Sequence, residues 1–120
     1  DGPSIIGVWD KLPPKTLKEL VAYGKSSGNK LNYGSAGTGS SQHLTAEYFN
    51  QIAGTSSNHI PYKGQSQAMN DLVGGQLEYM FSPLQNALPF IKQGRIRVLA
   101  VAAFEAIKEA KAELEKKKAP

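Results

Sequence analysis

Cysteine is absent from the sequence, which excludes a disulfide framework, thiolate metal sites and thiol nucleophiles in one step. Long apolar runs are absent too. The most apolar stretch, Val98 to Phe104, is far too short to span a bilayer, so no membrane insertion is expected. Arginine is scarce, at two residues, and the formal net charge of +4 is spread thinly along the chain. With no arginine-rich stripe and no interleaved aromatics to stack bases, no nucleic-acid partner is expected. A modest positive surface suits small anionic ligands instead. Also missing is a charged segment followed by an apolar one, so no signal peptide is expected within these residues. The start at Asp1 is what a processed, exported chain would show.

What is present is a chain of 120 residues with 40% hydrophobic and 20% charged residues. That suits one globular domain over residues 1–120. Short apolar runs alternate with amphipathic ones. Ser4–Trp9, Lys30–Tyr33, Asn58–Tyr62, Leu77–Phe81 and Arg97–Val101 read as five strands. Between them, helices are expected from Thr16 to about Ser26-Ser27-Gly28-Asn29, from Ser40 to Gly54, from Ser66 to Val73, and from Pro83 to Gly94. Such alternation implies a three-layer α/β/α sandwich around a mostly parallel five-stranded sheet. Periodicity alone gives an all-parallel, flavodoxin-like order.

The fifth expected helix, Phe104 to Lys118, has a different texture. It uses almost only strong helix formers, with Ala103, Phe104, Ile107, Ala110 and Leu114 on one stripe and a Glu113–Lys117 pair one turn apart. Lys116, Lys117 and Lys118 suit a solvated helix end. This idealised composition points to a redesigned segment over 103–120.

In an open α/β sheet, ligands sit beyond the carboxyl ends of the strands. Three segments reach that edge: Gly34–Ser41, Lys63–Ser66 and Ser82–Gln85. The first, Tyr33-Gly34-Ser35-Ala36-Gly37-Thr38-Gly39-Ser40-Ser41, combines small residues with a following helix start. Backbone N–H groups and the positive end of the helix dipole favour an anion there. The hydroxyls of Ser35, Thr38, Ser40 and Ser41 add neutral donors. Read more plainly, the same glycines serve only a tight turn. Gly34 and Gly39 copy the spacing of a phosphate-binding P-loop, but Ser40 stands where its lysine must be. Gln42 likewise replaces the third glycine of a dinucleotide motif. His43 and Glu47 are one turn apart, yet two ligands are too few for a metal site. No nucleophile elbow is present, and neither His43 nor His59 has an evident acid partner. His43 reads as a helix-start side chain bonded to the loop, and His59 as a partly buried strand residue. Asp71 and Glu78 read as solvated. Tyr62 could offer a hydroxyl, and Lys63 a charge, to an acidic ligand.

The run Lys30-Leu-Asn-Tyr-Gly-Ser-Ala-Gly-Thr-Gly-Ser-Ser-Gln-His-Leu44, followed by Ala46-Glu47-Tyr48-Phe49, resembles the signature of tripartite tricarboxylate transporter substrate-binding receptors, the TctC-like or Bug family. His59-Ile60-Pro61-Tyr62-Lys63-Gly64, Asp71-Leu72-Val73-Gly74-Gly75-Gln76 and Arg97-Val98-Leu99-Ala100-Val101 follow in the family's order. The likeness covers about residues 12–102. It implies a periplasmic-binding-protein lobe, the second of two, in which Ser4–Trp9 lies antiparallel among parallel neighbours. It also implies ligand contacts from Ser35, Gly37, Gly39, Ser40 and Ser41, with His43, Tyr62 and Lys63 lining or supporting the cleft. Ser82, also expected at the ligand site and facing the ligand's other end, stands where relatives often carry an acid.

Together these readings lead to a periplasmic receptor lobe for a small di- or tricarboxylate. It would hold half of the ligand site, without catalysis and without a cofactor or metal. The parent would deliver its ligand to a membrane transporter, and a lone lobe could pair as a homodimer through exposed apolar surface. Two alternatives stand beside this reading. One is a stability scaffold that binds nothing, and the other is a phosphate- or nucleotide-binding enzyme using the same loop.

Overall fold

A computed structural model describes residues 4–26, 31–101, 105–109 and 111–112. The first strand, β1 (Ser4–Trp9), is followed by α1 (Leu17–Ser26), β2 (Asn32–Ser35), α2 (Ser41–Ala53), β3 (Asn58–Pro61), α3 (Gln65–Val73), β4 (Tyr79–Pro83), α4 (Leu84–Lys92) and β5 (Ile96–Val101). Residues 105–109 and 111–112 are helical. The remainder of the fifth expected helix, with its stripe positions Ala103, Phe104, Ala110 and Leu114 and its Glu113–Lys117 pair, lies outside the described residues. So does the Ser27-Gly28-Asn29 end expected for the first helix.

The strands form one sheet in the order β3-β2-β4-β1-β5. β2 runs parallel to β3 and β4, whereas β1 is antiparallel to both β4 and β5. The reversed strand follows the receptor-lobe arrangement, and the all-parallel order is overturned. β1 can sit centrally because it is buried on both faces, Ile5 to Val8 being sealed from solvent. Its register with β5 slips between Ile6 and Gly7, the signature of a bulge.

Alternation along the strands divides the core in two. Ile6, Val8, Tyr33, Tyr79 and Phe81 face one side, where Leu20 of α1, Phe49 of α2 and Ile107 cover them. Ile5, Met80 and Ile96 face the other, under Met69 and Leu72 of α3 and Ala87 of α4. This is the three-layer sandwich expected from the alternation of elements.

Local signals set most boundaries. Thr16 caps α1 by accepting the Glu19 N–H at 3.1 Å, while Glu19 accepts the Lys15 N–H at 2.9 Å. Ser40 caps α2 at one end, and Gly54, in the left-handed region at φ 72°, closes it at the other. β2 and β4 begin and end about two residues later than the apolar pattern suggests. β2 runs on through Gly34 and Ser35, which pair with Ile60 and Pro61 of β3. Gly34 is required there, since a Cβ would lie 2.5 Å from Leu77 Cδ1. β4 extends to Pro83, which pairs with Ser4 at the strand end, a place where proline is tolerated.

Candidate functional site

β2 ends on Ser35, which is 0% exposed. Its hydroxyl faces the Gly37 backbone, accepting from the N–H at 3.1 Å and lying 3.1 Å from the carbonyl oxygen. It also lies 2.6 Å from Nε2 of His59. His59 is opposite Tyr33 in the β2–β3 register, so it reaches Ser35 diagonally, two residues on along the same face.

Beyond Ser35 the chain turns in a way that only glycine permits easily. Gly37 sits at φ 137° and Gly39 at φ 85°. The Ser40 N–H donates back to the Gly37 carbonyl at 3.1 Å, closing the turn. Ser40 then accepts the His43 N–H through its side chain at 3.3 Å, and the Gly39 N–H donates to His43 Nδ1 at 3.0 Å. Thr38, Gly39 and Ser41 are exposed on the crest of this loop. Ser41 and Gln42 stand in the first turn of α2, where backbone N–H groups have no acceptor within the helix. Such donors suit an anion.

A column of rings supports the loop from below. Tyr79 stacks on Tyr33 at 5.5 Å between centroids, Tyr33 on His59 at 5.1 Å, and His59 on His43 at 3.9 Å. The Tyr33 hydroxyl donates to Glu47 at 2.5 Å. Burial, followed by the adjacent carboxylate, raises its pKa far above the ordinary tyrosine range. Burial lowers the pKa of His59, the neighbouring His43 lowers it further, and Glu47 opposes both. His43 therefore occupies the loop-supporting place expected of it, and His59 is part of the same support.

The other expected residues are placed differently. Tyr62 turns its hydroxyl to Asp71, donating at 2.5 Å, and burial pushes its pKa up to about 12. Its backbone N–H donates to the Ser35 carbonyl at 3.1 Å, so its tie to the loop runs through the main chain. Lys63 is exposed. Ser82 is only 1% exposed, donates to the Pro83 carbonyl at 2.9 Å and accepts from Gln65 Nε2 at 2.8 Å. Gln65 Oε1 in turn accepts from Gln42 Nε2 at 3.0 Å. Gln42, Gln65 and Ser82 thus link the starts of α2 and α3 to the end of β4, which brings the three expected segments together. The expectation that Asp71 and Glu78 are merely solvated is corrected. Asp71 holds Tyr62, and Glu78 accepts the Asn32 N–H at 2.5 Å, extending the β2–β4 junction.

Sequence reasoning missed His59, Gln42 and Gln65. The sheet register could have found the first, because Tyr33 and Ser35 share a face. Nothing local marks the two glutamines. Among the described residues, no cluster of three or more histidine or acidic side chains could hold a metal ion, and no helix is long and apolar enough to cross a membrane.

A small-residue loop at the carboxyl edge of a five-stranded sheet with one reversed, interior strand is an α/β architecture of the periplasmic-binding-protein class. Residues 3–111 match the tripartite tricarboxylate transporter family receptor, TctC, and the chain belongs to that family. A Cupriavidus necator relative, the UPF0065 protein in the gbd 5′ region, is 40% identical over 88 residues. That match takes in 73% of this chain and 27% of the relative. The fold resembles Rpa4515 of R. palustris, solved with adipate (TM-score 0.80, 31% identity, 83% of this chain and 33% of that one). It also resembles MatC of Rhodopseudomonas palustris, solved with bound malate (TM-score 0.79, 29% identity, 84% of this chain and 34% of that one). The periplasmic binding protein BugD is similar as well, at TM-score 0.77 and 34% identity over 82% of this chain and 33% of that one. The chain therefore spans about a third or less of the length of each of these proteins.

Proposed function

We propose that this chain is one lobe of an exported, two-lobed receptor for small dicarboxylates, and that it binds its ligand without transforming it. One observation carries the reading. The Ser35–Ser41 loop presents small residues, two glycines at positive φ and the first-turn amides of Ser41 and Gln42 at one helix start. Such a surface holds a carboxylate through neutral donors. Family membership supports it, as do relatives of the same fold solved with adipate and malate.

On this reading Gly37, Thr38, Gly39, Ser40 and Ser41 contact one carboxylate. Ser35, His43 and His59 hold the loop from beneath, and Tyr62 and Lys63 flank it. Ser35 is a poor nucleophile despite its short contact with His59, because its oxygen is sealed from solvent and engaged by Gly37. A second lobe would close over the ligand, and a membrane transporter would receive it. One lobe desolvates only part of a ligand, so affinity here is weak.

Titration of the chain with succinate, followed by amide shifts, tests the proposal. Shifts confined to residues 34–43 at millimolar ligand are expected. Silence there up to tens of millimolar, with the fold intact, favours the scaffold alternative. Nucleotide turnover that disappears in Ser41→Ala would favour the enzyme.

A further inference from the structure

We infer that Gln65 is the residue that selects the ligand's second polar end, and that it does so in place of Ser82. The inference rests on the carboxylate reading of the glycine loop. Its own basis is the direction of the hydrogen bonds between Gln42, Gln65 and Ser82. The Ser82 hydroxyl gives its only proton to the Pro83 carbonyl, so it can only accept from Gln65. That fixes the Gln65 amide with Nε2 toward Ser82 and Oε1 toward Gln42, which donates to it. No donor is left on Ser82 for a ligand, and its oxygen is buried.

Gln65 differs on both counts. Its amide nitrogen carries two protons, and Ser82 takes one. The side chain is half-buried and borders an open groove of about 190 Å³ between α3 and α4, together with Ser66, Met69, Asn70, Asn86 and Phe90. No charged side chain lines this groove. Gln42, the residue after Ser41, donates to Gln65 Oε1 and so sets this amide beside the Gly37–Ser41 loop. On this inference its second N–H, neutral and not taken by Ser82, receives the far end of a ligand whose first carboxylate rests on the loop. The fitting class is a short carboxylate with a second hydrogen-bond acceptor. Because Gln42 follows Ser41 directly, the loop that takes the first carboxylate and the amide that reads the second are joined by one hydrogen bond.

Succinate and butyrate, equal in carbon number, separate the two ends. In the unaltered chain succinate should bind several-fold more tightly than butyrate. Gln65→Met keeps the side-chain length and removes both hydrogen bonds. It should weaken succinate roughly three- to tenfold, the scale of one lost hydrogen bond, and leave butyrate within about twofold. Gln42→Ala, at a half-exposed position that leaves the core alone, should reduce the same preference in the same direction. Equal weakening of both ligands would mean that Gln65 only supports the fold, and an unchanged succinate preference would mean that it plays no part. Either result overturns the inference. If neither ligand shifts residues 34–43 of the unaltered chain, the carboxylate reading itself fails.

Discussion

The imidazoles of His43 and His59 lie face to face, 3.9 Å between centroids and 5° from parallel. One comes from α2 and the other from β3, so the contact fastens the start of that helix to the sheet. Two cationic rings at this distance would repel. The groups facing His59 are Tyr33 from β2, with His43 and Glu47 from α2, and only Glu47 favours its charge.

The buried setting of His59, with His43 beside it, makes stability depend on pH. Burial, then His43, lowers the folded-state pKa of His59 below its unfolded value of about 6.5. The unfolded chain therefore binds a proton first as pH falls. Stability is fully present above about pH 6.5 and declines below it, until the folded state also takes up the proton. Urea midpoints measured from about pH 7.5 to 5 should fall accordingly. His59→Gln keeps a hydrogen-bonding side chain near Ser35 without a titrating ring and should flatten the slope in that window. An unchanged slope would assign the effect to other groups.

Gly34 marks the tightest backbone approach under the loop. A methyl there would lie 2.5 Å from Leu77 Cδ1, 3.3 Å from Tyr62 Cε1 and 3.4 Å from Ala68 Cβ. Leu77 is 1% exposed and has little room to retreat. Gly34→Ala should cost about 1–3 kcal/mol by overpacking, read as a lower denaturation midpoint. A variant as stable as the parent would show that Leu77 repacks freely.

Arg97 of β5 gathers three carbonyl oxygens from the segment after β1. It donates to Leu12 at 2.6 Å, Pro14 at 2.8 Å and Asp10 at 3.0 Å. The planar guanidinium reaches these three acceptors from two separate nitrogens, a spread that a single ammonium nitrogen matches poorly. Arg97→Ala should lose about 2–4 kcal/mol, allowing for non-additive charged hydrogen bonds. Arg97→Lys should recover less than half. Full recovery by lysine would mean that charge matters and the fork does not.

Gly37 and Gly39 should respond differently to alanine. Both lie in the positive-φ region that other residues rarely adopt. Gly37, at φ 137°, is farther from the left-handed well and has the Tyr62 carbonyl oxygen 3.6 Å from an added Cβ, whereas Gly39, at φ 85°, has no heavy atom within 4 Å. Gly37→Ala should rearrange the loop and abolish the succinate response. Gly39→Ala should cost about 1 kcal/mol in stability and retain a weakened response. Equal binding by both variants would separate ligand recognition from loop shape.

Much of this architecture could be read from local chemistry. Ser40 and Gly54 announced both ends of α2, and Ser4–Trp9 announced a buried strand through its apolar residues. The direction of that strand was not in its periodicity, since a two-sided apolar run looks the same whichever way it points. It entered through the family resemblance. β2 was misplaced because Gly34 and Ser35 have the composition of a loop, and only pairing with β3 reveals them as strand. At the site, the glycine loop was legible because its residues are contiguous. His59 was undervalued because its role depends on the register of β2 against β3. Gln42 and Gln65 escaped notice because they meet across 23 residues and two helices.

The reversed strand also dictates an order of events in folding. β2, β3 and β4 can assemble from the middle of the chain, but β5 joins the sheet only by pairing with β1. Ile5, near the beginning, has Ser82 on one side and Val101 on the other. β1 therefore stays unpaired, apolar on both faces, until β4 has formed, and is paired on one side only until β5 has. Long-range pairings of this kind slow folding, so this segment is the one in greatest need of protection from aggregation while the chain is incomplete.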